Sequence, residues 1–250
     1  MRDRIIKWAF FAGIFIIWQC IAWSGAFPPN LLPGPLQVLN SLGVMSRDGT
    51  IFTGAGVSMF RLIGDYFVAV GGGIIIGVFI SRFEWMEGTI GALTLGLQTL
   101  PTICWLPMAV IWFGASEKAI FSLVVLGGIL SVILATEAGV RHVPVVLIRA
   151  ARSMGASGFQ LYRRVIIPAA FPAIISGLKQ GWAFSWRTLM AAELLFGDKG
   201  LGYLLQTGRK DNDTSRFLAV ILVMLVLGIT VELAVFRPLE KKVRGSWGLS

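Results

Sequence analysis

The chain has little with which to perform covalent chemistry. Its 250 residues include one histidine, His142, and two cysteines, Cys20 and Cys104. One imidazole cannot build a histidine-rich metal centre, and no Ser/His/Asp set stands at catalytic spacing. Both cysteines fall inside apolar stretches, where they read as small buried hydrophobes, with no disulfide framework implied. The pattern Gly-x-x-x-x-Gly-Lys-Ser/Thr is absent, so the chain has no P-loop to cradle a nucleotide. Acidic residues are also scarce, 13 Asp+Glu against 22 Lys+Arg, for a net charge of +9. That excess does not argue for nucleic acid, because the bases gather at the ends of apolar runs, where membrane topology accounts for them.

Apolar residues are what the chain has in abundance. They make up 56% of it, and the mean hydropathy is +0.77. A soluble domain of this length is far more polar. The expected fold is therefore all-α, a single polytopic membrane domain over 1–250 with about six transmembrane helices. The spans are placed at 8–24, 61–80, 88–113, 119–136, 171–195 and 217–236. The first is too long, and lacks the small-residue cleavage site, for a removed signal peptide. Residues 25–56 are broken by Pro28, Pro29, Pro33 and Pro35 and read as loop followed by a short amphipathic helix around Leu36–Met45. The second span carries Gly73 and Gly77, a GxxxG pair that allows close helix approach. At its start Arg61 and Asp65 are i,i+4 partners. The third is uncharged from Gly88 to Ser116, too long for one plain span, and Pro101 and Pro107 divide it. It should bend or unwind near Leu100–Pro107. That is either a packing kink or a cavity lining that turns Thr99, Thr102 and Trp105 toward a substrate path.

A polar interruption from Glu137 to Pro168 then carries five arginines, at 141, 149, 152, 163 and 164. Apolar residues recur at helical spacing in its first half (Leu147, Ala151, Met154) and its second (Phe159, Tyr162, Val165, Ile166). Gly155 stands where the first helix should stop. Ser157 and Gln160 are spaced as a capping box, and Pro168 should end the second helix or start the next. The segment reads as a helix–turn–helix elbow, basic on one face and apolar on the other.

Arg149-Ala150-Ala151, then Gly155, then Val165-x-Ile167-Pro168 resembles the EAA loop of permease subunits of bacterial ABC importers. The usual form is Glu-Ala-Ala, three residues, Gly, nine residues, Ile-x-Leu-Pro. LPGPLQVL (32–39), WLPMAVIWFGASEK (105–118) and TLMAAELL…GLGYLL (188–205) resemble the subgroup carrying sulfonates, taurine, nitrate and similar solutes. One departure is that Arg149 replaces the signature Glu; either this subgroup tolerates it or the docking contact differs. The resemblance implies a cytoplasmic coupling loop between the fourth and fifth spans. Arg149, Ala150, Ala151, Arg152, Met154, Gly155, Ala156, Phe159 and Pro168 would then form the ATPase-coupling surface, with Leu147, Met154 and Phe159 inserting into a groove. It further implies two ABC ATPase subunits holding ATP and Mg, a second permease copy, a periplasmic or lipid-anchored substrate-binding protein, and a mechanism of alternating access. No cofactor, metal or catalytic residue is expected on this chain.

The fifth span places Lys179, Arg187 and Glu193 in apolar surroundings, where a charge at a helix centre costs about 2.5–3.5 kcal/mol. Lys179, Trp186 and Glu193 repeat every seven residues on one face, with Trp182 nearby. Trp182, Trp186, Arg187 and Glu193 are therefore further candidates for the path, Arg187 because its fork suits oxyanions. The competing reading pairs Arg187 with Glu193 or Asp65 as a structural tie, makes Glu193 structural near the GLG loop, and lets Lys179 snorkel. Residues 197–216 read as a mixed-charge outer loop. With termini and elbow on one side, that side holds thirteen of the 22 bases, so it is assigned to the cytoplasm of a bacterial inner-membrane protein. The rival classes are an ion-gradient-driven secondary transporter, which would show repeats and buried acids, and a membrane-embedded enzyme, which would show a catalytic cluster.

Overall fold

The computed structural model describes residues 2–24, 28 and 31–246, with the side chains of residues 2–5, 7, 8, 11, 244 and 246 left aside. The side chains of bases assigned to the termini (Arg2, Arg4, Lys7, Arg244), and Pro29 and the tail 247–250 as a whole, lie outside what is described. The described residues are helical, without a β-strand. In chain order the helices are α1 (Arg2–Trp23), α2 (Pro35–Arg47), α3 (Thr50–Arg82), α4 (Glu84–Thr99), α5 (Thr102–Phe113), α6 (Glu117–Arg141), α7 (Val145–Ser153), α8 (Gly158–Phe196), α9 (Leu201–Lys210) and α10 (from Thr214 on, its last segment being Arg237–Ser246). Among the described residues α3, α6, α8 and α10 are long and apolar enough to cross a bilayer, and α4 with α5 would make a fifth as a bent pair.

Two compact units form. One takes residues up to Ser58 together with Glu193–Val226. In it Val38 and Met45 turn the buried face of α2 inward, while Leu36, Leu39 and Val44 stay exposed. Trp18 Nε1 of α1 donates to the Pro33 carbonyl at 3.1 Å, and the Gln37 side chain accepts from the Gly34 N–H at 3.0 Å, capping α2. The second span, placed from residue 61, starts earlier, at Thr50, so the residues soon after α2 already form the first turns of α3. Asp48 starts that helix by accepting from Thr50 N at 2.9 Å, and hydrogen bonding from Thr50 lowers its carboxyl below the usual range. Gly54 lets α3 approach α9, since a Cβ there would lie 2.6 Å from Leu204 Cδ1.

The second unit comprises Met59–Ala192 and the residues from Leu227 on. Helix α6 is its centre, with Ile120, Leu123, Val124, Val132 and Ile133 buried. Small residues bring its neighbours close. A Cβ on Gly73 would lie 2.7 Å from Val132 Cβ, and one on Gly77 would lie 2.7 Å from the Ile133 carbonyl. Gly177 leaves no room for a Cβ against Ala135. The GxxxG pair of α3 thus works as its spacing suggests. Arg61 of α3 pairs with Glu117 of α6, a partner that i,i+4 spacing did not suggest. Both cysteines are exposed among the described residues, contrary to expectation.

Candidate functional site: the elbow and the clefts beside Arg187

The elbow forms, with three differences from its sequence reading. Glu137–Arg141 belong to the end of α6, so the polar segment proper starts at the turn after Arg141. Gly155 stops α7 at φ +84°, where an L side chain is strained, and the Ala156 N–H returns to the Ala151 carbonyl at 3.0 Å. Ser157 is the N-cap of α8, but its side chain makes no capping bond. The next residue, Gly158, has φ +49°, so the helix is entered without the right-handed first residue that a capping box requires. Finally, α8 runs straight through Pro168. A π-helical turn over Tyr162–Ile166 carries the Ile167 N–H back to the Tyr162 carbonyl, and this widened turn absorbs the missing proline donor.

The elbow has two faces of opposite character. Ala151, Leu161 and Ile166 are buried with Val140, Val143, Ala170 and Ile174, and Ala156 and Tyr162 pack against them. On the outside, Met154 is 81% and Phe159 77% exposed, with Leu147 at 37%. Arg149, Ala150, Arg152, Arg163 and Arg164 are exposed too, and none of these four arginines has an ion pair among the described residues. Arg141 differs. It bonds Glu137 at 3.2 Å and also pairs with Glu87, so it ties α6 to α4.

The helix break falls at Leu100–Pro101, both extended in ψ, as the residue preceding a proline tends to be. The two arms, α4 and α5, meet at 97°. Beside the break lies a cleft of about 410 Å³ lined by Thr99, Thr102, Phe184, Arg187 and Thr188 among others. A second cleft of about 430 Å³ is lined by Lys179, Trp182, Trp186, Arg187, Gly228 and Glu232 among others. Arg187 belongs to both. Its guanidinium lies 4.9 Å over the Phe184 ring and its Nε donates to the Ala183 carbonyl at 3.1 Å. Of the predicted path residues, Thr99 and Thr102 meet Arg187 in one cleft, and Trp182 and Trp186 meet it in the other. Trp105 lines neither. In place of the predicted ties to Glu193 or Asp65, the structure gives Arg187 a π face and a carbonyl.

Glu193 also departs from the path. Its side chain is wholly buried. It accepts from Ser58 Oγ at 2.6 Å and from the Gly202 N–H at 3.0 Å, while Ser58 Oγ accepts from the Leu201 N–H at 2.8 Å. Gly200, at φ +104°, brings the loop so close that a Cβ there would strike the carboxylate. Glu193 thus sits at the N-terminus of α9, where a negative charge is favoured. Residues 197–216 are consequently not a plain loop. Lys179 does not simply snorkel either: Nζ lies 2.6 Å from Glu232 and 3.6 Å from Glu240. Sequence reasoning missed both acids, although Glu232 is a charge inside an otherwise apolar run and Glu240 follows eight residues later.

The family described as binding-protein-dependent transport system inner membrane component matches residues 69–245. The chain belongs to this family. Among its relatives, the taurine transport system permease protein TauC of Escherichia coli is 32% identical over 93% of this chain and 86% of that one. The aliphatic sulfonates transport permease protein SsuC of the same organism, a name given as putative, is 28% identical over 90% and 86%. The nitrate import permease protein NrtB of Synechocystis is 25% identical over 88% and 82%. A chain of the MetNI methionine ABC transporter in an inward-facing conformation superposes with a TM-score of 0.61 at 19% identity, over 74% of this chain and 93% of that one. At that identity the likeness shows the fold. As a family member the chain is a multi-pass transmembrane subunit of an ABC importer, working with ATPase and substrate-binding partners. The reading as an ion-gradient-driven transporter gives way to it.

Proposed function

We propose that this subunit passes a small anion, a sulfonate or taurine before nitrate, across the bacterial inner membrane. ATP and Mg are bound by the partner ATPases, and the elbow after α6 transmits their closure. The observation that carries the coupling role is the outward pair Met154 and Phe159, set on either side of the Gly155 turn and ringed by arginines that have no acidic partner among the described residues. Exposed apolar side chains on a polar segment are suited to a groove on another protein, and Arg149, Arg152, Arg163 and Arg164 supply a charged rim. The elbow and both termini are assigned to the cytoplasmic side, with α1 as a span and α4–α5 as a broken one. Two copies of the chain pair with two ATPases.

The anion reading rests on the relatives' substrates and on Arg187, the cation shared by the two clefts. A guanidinium offers a fork to an oxyanion, Thr99 and Thr102 add hydroxyls, and Trp182 and Trp186 add apolar faces for a short carbon chain. ATP-dependent uptake by vesicles holding the assembled importer tests the whole. Met154→Asp with Phe159→Asp is expected to abolish uptake and co-purification of the ATPase while membrane insertion persists. Unchanged uptake and an intact complex in that variant would remove the elbow from the mechanism.

A further inference from the structure

We infer that the outward face of the last segment of α10, Arg237–Ser246, is a binding site for the head groups of anionic phospholipids. The depth of the segment comes first. From Phe217 to Phe236 the helix is apolar apart from Thr230 and Glu232, and twenty residues at about 1.5 Å each span roughly 30 Å, the thickness of a hydrocarbon core. Arg237 onward therefore lies at the level of the phosphates.

The orientation of the segment is set by two ion pairs and a π turn. Glu232 and Glu240 are eight residues apart, which in an uninterrupted α-helix leaves them about 80° out of line. The turn over Glu232–Phe236 is π-helical, and its i→i+5 bonding in effect absorbs one extra residue, closing the offset to about 20°. Both carboxylates consequently meet one ammonium, Lys179 Nζ, at 2.6 and 3.6 Å. Phe236 and Val243 are buried on that side. With this face held inward, Arg237, Lys241 and Lys242 fall about 100°, 140° and 240° around the helix from Phe236. All three are exposed, and none forms an ion pair among the described residues.

The chemistry of the surface above them selects the occupant. Ile229, Leu233 and Val235 of the same helix are about half exposed. A basic cluster at the foot of an apolar surface matches a phosphate attached to an acyl chain. An acidic protein rim would answer the charges but leave that surface without a partner. Each base at an anionic surface contributes about fivefold to affinity, so three contribute about a hundredfold.

Native mass spectrometry of the complete importer, offered phosphatidylglycerol and phosphatidylcholine together, tests the site. The unaltered complex is expected to retain the anionic lipid preferentially, and added salt should weaken the preference. Arg237→Gln with Lys241→Gln and Lys242→Gln should reduce it by about a hundredfold and Lys242→Gln alone by about fivefold, whereas Lys241→Arg with Lys242→Arg should keep it. Undiminished lipid selectivity in the triple variant overturns the inference. So does loss of the ATPase subunits from that variant with selectivity unchanged, since the face would then be a protein contact.

Discussion

Helices α6 and α10 are nearly indistinguishable by hydropathy, yet 56% of the apolar stretch of the first is buried and 11% of that of the second. Apolarity in a membrane segment says that the segment leaves water; it does not say what the segment faces, because lipid tails are as apolar as leucine. Small residues carry that information. Gly127, Gly128, Ser131, Thr136 and Gly139 are buried along α6, and their missing bulk is filled by neighbouring helices. Helix α10 leaves Leu225, Ile229 and Leu233 about half exposed. The permease has one helix built to be surrounded by protein and another that keeps most of its surface for lipid or a partner.

The sharpest way to break this contrast is to give α6 the bulk of α10. Gly128→Leu would drive a side chain into Ser185 Oγ, with the Gly181 carbonyl 3.3 Å from the new Cβ. Backbone on that side cannot yield as a rotamer does, so the loss should be at least about 3 kcal/mol. The expected outcome is a failure to recover folded monodisperse protein in detergent, with Gly128→Ala partly recovered. A Gly128→Leu protein as heat-resistant as the parent would contradict the packing described for α6.

Next in size is Glu193, the buried charge of the other unit. Glu193→Ala would leave the Ser58 hydroxyl and the Gly202 N–H without this acceptor. At about 1–3 kcal/mol for each orphaned donor, the cost should be about 2–6 kcal/mol. Glu193→Gln keeps an oxygen in place and should cost less. Thermal unfolding of the solubilised complex reads both. Proteolysis between Asp198 and Lys210 should accelerate in the alanine variant, because the acceptor at the start of α9 is gone.

These residues also mark where sequence reading reaches and where it stops. The stop at Gly155 was legible because only a left-handed residue ends a helix that way, and the GxxxG of α3 because its meaning is local to one helix face. The break at Leu100–Pro101 followed from a proline's effect on the residue before it. Glu193 is different: Ser58 lies 135 residues away, and no spacing rule connects them, so the carboxylate kept two readings and residues 201–210 passed for loop. Pro168 misled for another reason. A proline ordinarily breaks a helix, and the π turn that spares this one is a backbone adjustment without a residue signature. The elbow was therefore visible as a motif, while its attachment to α8 as one continuous 39-residue helix was not.

A smaller effect is expected where the surfaces of α8 and α10 meet through charge. Lys179 is partly exposed, so its pairs with Glu232 and Glu240 are screened and together contribute about 1 kcal/mol at most. Lys179→Met should lower the unfolding temperature slightly, and adding Glu232→Gln should recover part of it by relieving the two apposed carboxylates. A double variant less stable than Lys179→Met alone would mean that Glu232 has another, stronger role.

The smallest expected change completes the contrast. Leu225→Ala removes as many atoms from α10 as a core truncation would, but Leu225 is 56% exposed. A buried Leu→Ala typically costs about 2–5 kcal/mol, through lost contacts and the cavity left behind. On a face covered by lipid the acyl chains refill the space, and the change should stay within about 0.5 kcal/mol. Leu123→Ala, on the buried face of α6 at 2% exposure, is the matched control and should show the full cost. If the two truncations destabilise the assembled importer equally, Leu225 is buried against another subunit, and the exposed face of α10 is a protein interface.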